Sequence, residues 1–322
     1  MREITVATVQ MKPELGEVED NLVKMSDFIA KIASQQKVDL IVFPELITSG
    51  YELGVKFTEI AQLIPGPTVN LMSQRAQQHG VYIAFGMVAK ERVESILYNA
   101  AVLVGPEGDI TGEYRKVHLK GEERMAFREG YKLPIFEADF GRVGLMLGWD
   151  LAFPEVARTM VLEGAEMLCV LASWEKNDID EWQTYLKARA YENAVFVTGA
   201  NRVGEDVTLA FGGESAVVGP RGKLRAVVTT DDVAQADGKK DGKGKKEEDP
   251  KAEKPGEDEK DKDKDKKKDD AKAEKKKDDK PTYVEGYAVA RIDLDEIRRH
   301  REARQTLQTR QPTSYRALVR KY

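Results

Sequence analysis

Short, wholly apolar runs alternate with helix-period stretches along most of this chain, and that alternation restricts the fold more than any other feature. Residues 4–9, 40–43, 81–85, 100–104, 143–147, 167–171 and 195–198 are such runs, each of strand length. A strand apolar on both faces must be covered on both, as in the sheets of α/β proteins. After the first run, Val18, Leu22, Met25, Ile29 and Ile32 recur at helical spacing. Pro67 opens and Gly80 closes a predicted helix over 68–78, Pro being suited to helix starts and Gly to helix ends. Further helices are predicted over 154–162, 180–192 and 295–306. A layered α/β fold with covered sheets follows.

One segment breaks this pattern. From 237 to 280, 44 residues carry 18 Lys and 17 Asp or Glu, with three alanines as the only apolar content. Such a stretch cannot bury enough surface to offset its chain entropy. A charged, disordered insertion over 231–283 is therefore expected within a single domain spanning 1–322. Strand-like runs at 224–228 and 286–292 flank it, and loop-closure entropy grows slowly enough with length to tolerate it at the surface. Its charges nearly cancel, which weakens any field toward an acidic partner.

The remaining charge is mild, with a formal −5 for the whole chain. That balance excludes the basic surplus of a nucleic-acid binder. No apolar run approaches the ~20 residues needed to cross a bilayer. The first four residues lead straight into alternating sequence instead of a leader, so a cytoplasmic protein with no membrane contact is expected. Cys169 is the only cysteine, which rules out an intrachain disulfide and a cysteine-based metal cluster. Inside its apolar run it reads as a small buried hydrophobe. His79, His118 and His300 are too scattered to suggest a metal site, and His79 and His300 read as surface residues near helix ends. No cofactor is implied.

Three strand ends carry groups with chemical potential. Glu45 follows the 40–43 run and Pro44, where α/β proteins collect their ligand sites. Taken alone, a helix cap or an ion pair is its more ordinary role. Lys116 alternates with apolar neighbours in 114–119 and can point inward, although an exposed lysine is the simpler reading of that segment alone. The third end is Gly148-Trp149-Asp150, which closes a strand and leads into the helix at Pro154. A strand, a sharp turn and a helix start form the geometry of a nucleophile elbow, yet the turn residue is glycine. Gly148 alone needs no more explanation than a tight turn.

As an ordered set, Glu45, Lys116 and the Gly-Trp-Asp turn resemble the nitrilase superfamily of carbon–nitrogen hydrolases. Gln10, Tyr98-Asn99, Ala172-Ser173-Trp174, Arg189-Ala190 with Glu192-Asn193, and the glycine-rich 211–222 segment match the family in order. The resemblance covers residues 1–230 and 284–322. It implies a four-layer α-β-β-α sandwich, paired through outer helices into a homodimer or larger assembly, with Arg310-Gln311-Pro312 and Tyr315 at the contact. It also implies that Glu45 acts as general base, that Lys116 stabilises an oxyanion, and that Glu123 orients both Lys116 and the substrate. Glu122 is the neighbouring alternative for that last role. A cysteine between Leu147 and Trp149 would attack a small amide or nitrile and form an acyl-enzyme. Gly148 stands there instead, so the chain is expected to be inactive as written. Cys169 lies roughly 10–16 Å short of its strand's active end and is no substitute. Tyr51, Trp149 and Trp174 are the implied substrate-side residues. The alternative function is a natural non-catalytic member serving as a binding or assembly module.

The insertion generates the first prediction. Amides across 237–280 should exchange with solvent within seconds at neutral pH, and slow, protected exchange there would count against an unstructured insertion.

Overall fold

The computed structural model describes residues 1–92, 96–228 and 283–319, so the charged insertion, apart from Tyr283, lies outside the described residues. Two six-stranded sheets form the body. The first contains β1 (Glu3–Gln10), β2 (Leu40–Val42), β3 (Tyr82–Lys90), β4 (Leu97–Val104) and β5 (Ile110–Arg115), joined by β14 (Gly286–Asp293), in the order β14-β1-β2-β3-β4-β5. The second contains β6 (Ile135–Ala138), β7 (Gly141–Leu147), β8 (Met167–Ala172), β9 (Phe196–Asn201), β12 (Ala216–Val218) and β13 (Leu224–Val227), in the order β13-β12-β9-β8-β7-β6. A separate ribbon pairs β10 (Val203–Glu205) with β11 (Ala210–Gly212). Each sheet has a parallel trio, β1-β2-β3 or β7-β8-β9, with antiparallel strands on both sides.

Side-chain alternation along the strands separates the layers. In β1 to β3, Ile4, Val6, Leu40, Tyr82 and Ala84 pack with residues of the second sheet such as Val143, Leu145, Leu168 and Val170. Their neighbours Ala7, Val9, Ile41, Ile83 and Phe85 face the opposite way, against α1 (Val18–Gln35) and α3 (Pro67–His79). The helices α5 (Pro154–Leu162) and α6 (Ile179–Asn193) cover the second sheet through Val156, Met160, Trp182 and Leu186. The result is the expected four-layer α-β-β-α sandwich. Two single-turn helices, α2 (Phe57–Ile60) and α4 (Glu123–Ala126), and a terminal α7 (Asp295–Arg304) complete the chain.

The apolar runs located the inner strands except β12. They did not reveal β5 and β6, which are the edge strands of their sheets and alternate buried with partly exposed residues or stay partly exposed throughout. The two runs flanking the insertion are strands, but they belong to different sheets. Cys169 is fully buried in β8, and burial alone pushes its thiol up to about 12. His300 corrects the surface reading: it is buried on the inner side of α7, near Tyr191. Its arginine-rich sequence hid this, because only one face of a polar helix need be covered. Burial, with Arg221 and Arg304 nearby, holds its pKa below the ordinary histidine value.

Candidate active site

The loops after β2, β5, β7 and β8 meet at one end of the two sheets. Glu45 follows β2, and Gly86 of β3 allows the close approach: a Cβ on Gly86 would lie 2.5 Å from the Leu46 nitrogen and 2.7 Å from the Glu45 Cα. Beyond Glu45 the chain reverses through Leu46, which adopts a left-handed φ of +46° and accepts N–H bonds from Ser49 and Gly50. A bulky residue rarely takes that conformation, so packing must impose it. Lys116 follows β5, with its N–H on the Asn99 carbonyl at 2.9 Å and its own carbonyl accepting from Gly130 at 2.7 Å.

These placements bring Lys116 between two carboxylates. Its Nζ lies 2.7 Å from Glu45 Oε1 and 2.6 Å from Glu123 Oε1, and all three side chains are almost fully buried. Asn99 Nδ2 donates to the same two oxygens, at 2.8 and 3.2 Å. The second sheet contributes Ser173, whose N–H donates to Glu45 Oε2 at 2.9 Å. The Lys120 N–H closes the cluster on Glu123 Oε2 at 2.8 Å. Glu122, the neighbouring candidate, is exposed and outside this cluster. Burial raises the Glu45 carboxyl above the ordinary glutamate range, opposed by Lys116 and reinforced by Glu123. Burial works against the Lys116 charge as well, but Glu123 and Glu45 outweigh it and hold the ammonium above the ordinary lysine range. A carboxylate whose pKa is raised holds a proton more tightly than an ordinary one, the property a general base needs.

Gly148 faces this cluster from the end of β7. It has a φ of +39°, and a Cβ there would lie 2.6 and 3.0 Å from the two Glu45 carboxylate oxygens. Asp150, two residues on and fully buried, fixes the turn. Its Oδ2 accepts from Tyr114 Oη at 2.6 Å, and its Oδ1 meets the His118 N–H and Nδ1 at 2.9 and 2.8 Å. The turn is thereby tied to the strand that delivers Lys116.

The aromatic candidates divide. Trp149 and Trp174 stand 5.9 Å apart and both line a chamber of about 20 Å³ with Glu45, Lys116 and Gly148, room for about one water-sized group. Trp174 is mainly structural: it is buried, and its indole donates to the Asp178 carbonyl at 3.0 Å. Tyr51 lines both this chamber and an adjoining cavity of about 260 Å³. Burial, then the charges of Glu123 and Glu45, push its phenol well above the ordinary tyrosine value. A reciprocal latch holds its loop. Asp206 Oδ2 accepts the N–H groups of Tyr51 and Glu52, and the Glu52 carboxylate accepts those of Val207, Thr208 and Leu209. Arg202, buried under Phe211, clamps Asp206 with two bonds of 2.5 and 2.8 Å.

Known proteins are similar to this chain in sequence and in fold. The family model for carbon-nitrogen hydrolases matches residues 5–237. A protein of Schizosaccharomyces pombe described as a probable nitrilase is 46% identical over 68% of this chain and 82% of its own length. The 2-oxoglutaramate amidase of Bacillus subtilis is 33% identical, over 69% and 85%. This chain belongs to the carbon–nitrogen hydrolase family. Among solved structures, a nitrilase-superfamily member from Saccharomyces cerevisiae superposes with a TM-score of 0.75 at 20% identity, covering 96% of each chain. An amidase from Nesterenkonia carrying an acetamide moiety at its active-site cysteine superposes at 0.73 and 20%, covering 98% and 97%.

In this family member, the sequence placed Asn99, Ser173 and Asp150 in matching motifs without a part in the charged cluster, and gave His118 none. A lone amide inside the apolar β4 run was the available signal for Asn99. Ser173 reaches the Glu45 carboxylate through its backbone N–H and the Glu45 carbonyl through its hydroxyl, at 3.2 Å.

The Lys116 cluster yields a sharp expectation. Lys116→Met should cost about 3–5 kcal/mol at neutral pH, because it strands two buried carboxylates without their cation. Those carboxyls then have raised folded-state pKa values, so stability is present below the ordinary glutamate value of about 4.3 and lost as pH rises through the folded value. Urea unfolding should show a smaller deficit against the parent at pH ~5 than at pH ~8. An equal deficit at both would contradict this account.

Proposed function

We propose that this chain carries an amidase- or nitrilase-type site whose attacking group is absent, so that it binds a small amide or nitrile with little or no turnover. The observation that supports this most is the direction of the missing side chain: a Cβ at Gly148 points at the Glu45 carboxylate, within 3.0 Å of both oxygens. With a cysteine there, Glu45 takes the thiol proton and the sulfur attacks the amide or nitrile carbon. Lys116 donates to the developing oxyanion or imidate nitrogen, and Glu123 keeps Lys116 in place. An amide expels ammonia or an amine to leave an acyl-enzyme that water hydrolyses; a nitrile first forms a thioimidate. Loss of a nucleophile costs on the order of 10⁶ in turnover in comparable covalent mechanisms. Cys169 offers no replacement, since it is fully buried with its thiol pushed up to about 12.

The second reading, a natural binding or assembly module, draws support from the same intact cluster and cavities. A protein selected only for binding can keep its pocket while losing its chemistry. In either case we place the protein in the cytoplasm, with 231–283 as a charged insertion in one domain; among the described residues no helix is long and apolar enough to cross a membrane.

Assembly through the outer helices is part of the proposal. Leu162 at the end of α5, Tyr191 of α6, and Tyr315 and Leu318 near the C-terminus are 40–65% exposed, which is unusual for large apolar groups on neighbouring elements. Sedimentation at micromolar concentration should give at least twice the 36.1 kDa of one chain, and a monomer would refute the pairing.

Gly148→Cys should gain amidase or nitrilase activity that the parent lacks, measured as ammonia release from a panel of small amides and nitriles, with an acyl adduct on the new thiol. The left-handed φ costs a cysteine about 1–2 kcal/mol, and the Glu45 carboxylate, with one oxygen 2.6 Å from the new Cβ, must shift to admit it. A folded variant that neither turns over nor forms an adduct would leave the binding reading in its place.

A further inference from the structure

The cavities leading to Gly148 have unequally charged walls. The inner chamber and the outer cavity of about 260 Å³ share Tyr51, Lys120 and Glu175, so a molecule reaching Gly148 from the outer cavity passes between these three. Among the residues lining the outer cavity, Glu52, Glu122, Glu123 and Glu175 are carboxylates, and Lys120 is the only cation. Lys120 is already engaged: its Nζ lies 2.9 Å from Glu175 and 3.6 Å from Asp178, over the Trp149 ring at 5.0 Å. Lys116, deeper in, is shared by Glu45 and Glu123. Arg202, behind Phe211, is held by Asp206. Each of these three cations therefore has an internal counter-ion, while Glu52 and Glu122 have no cationic partner among the lining residues. The remaining lining includes Phe57, Phe127 and Leu209, a surface for methylene groups.

We infer that the molecule this site accepts is a primary amide or nitrile with a short aliphatic chain and a neutral or cationic far end, and that it discriminates against one ending in a carboxylate. This rests on the reading of the Gly148 turn as an amide site. An incoming carboxylate would lose part of its hydration, meet two carboxylates of like sign and find no uncommitted ammonium or guanidinium among the lining residues; the repulsion is screened by salt because both carboxylates reach solvent. An alkylammonium would instead add a counter-ion to a wall that lacks one. The amide 2-oxoglutaramate carries a carboxylate, so this chain should handle it poorly despite its likeness to the Bacillus subtilis amidase named for that compound.

Three primary amides of nearly equal length separate the cases: 4-aminobutanamide, pentanamide and 4-carbamoylbutanoate. Ligand-observed NMR titration of the natural protein reads binding without any need for turnover. The expected order is cation, neutral, anion, with at least a tenfold gap between the first and last that narrows as salt is raised. Glu175→Gln, which releases Lys120, should tighten the anion several-fold, and Glu122→Gln, at an exposed position, should shrink the gap. Equal or tighter binding of the anion overturns the inference, and so does failure of all three to bind. Turnover by Gly148→Cys is scored separately. A variant inert toward all three amides removes the hydrolase reading, while the binding order in the natural protein still decides this one.

Discussion

An ammonium group buried between two carboxylates governs how the rest of this end of the molecule is arranged. Lys116 comes from the end of β5, Glu45 from the end of β2 and Glu123 from α4, and none of the three charges tolerates burial alone. Burial raises the proton affinity of Glu45, and the second carboxylate, Glu123, adds to it against the pull of Lys116. Hydrogen bonds from Asn99 and from the Ser173 amide bring both sheets into the same network. A displacement of either sheet relative to the other would break a bond to Glu45, so the geometry of the cluster and the packing of the sandwich are held jointly.

The position of the cluster follows from the topology. Both sheets contain a parallel trio of strands, and the functional loops leave the ends of β2, β7 and β8 in these trios. Parallel strands of one sheet deliver their following loops to the same edge, and α/β proteins place their ligand sites there. The face-to-face packing of the sheets then sets Glu45 of one opposite Gly148 and Ser173 of the other. The latch between Glu52 and Asp206 ties the loop after β2 to the turn of the β10–β11 ribbon at the cavity mouth, each carboxylate accepting backbone N–H groups of the other's loop.

Much of this was legible in the sequence, because buried strands and amphipathic helices leave periodic apolar patterns. The 4–9 and 167–171 runs and the helix begun by Pro154 lie where the pattern placed them. Glu45, Lys116 and Glu123 were legible only as an ordered set, since each alone has an ordinary structural reading, and the bonds that the residues around them make were not legible at all. Ser173 contributes through its backbone amide and its hydroxyl, and Asp150 through contacts with residues 32 and 36 positions away. Edge strands β5 and β6 escaped because half-exposed strands carry polar residues that weaken the apolar signal. His300 was misread because its arginine neighbours describe the exposed face of α7, not its covered one.

The strand that completes the first sheet comes last in the chain. β1 lies between β2 and β14, and its eight paired residues, Glu3 to Gln10, meet partners at 286–293. A ribosome adds roughly 5–20 residues each second, so about 15–60 s separate the emergence of β1 from that of β14. The second sheet, whose strands all lie between Ile135 and Val227, is fully synthesised well before then. Throughout that interval one side of β1 is an open row of backbone donors and acceptors, the kind of edge that recruits other nascent chains. Vectorial synthesis thus reverses the usual order for this protein: its amino-terminal half is begun first and sealed last.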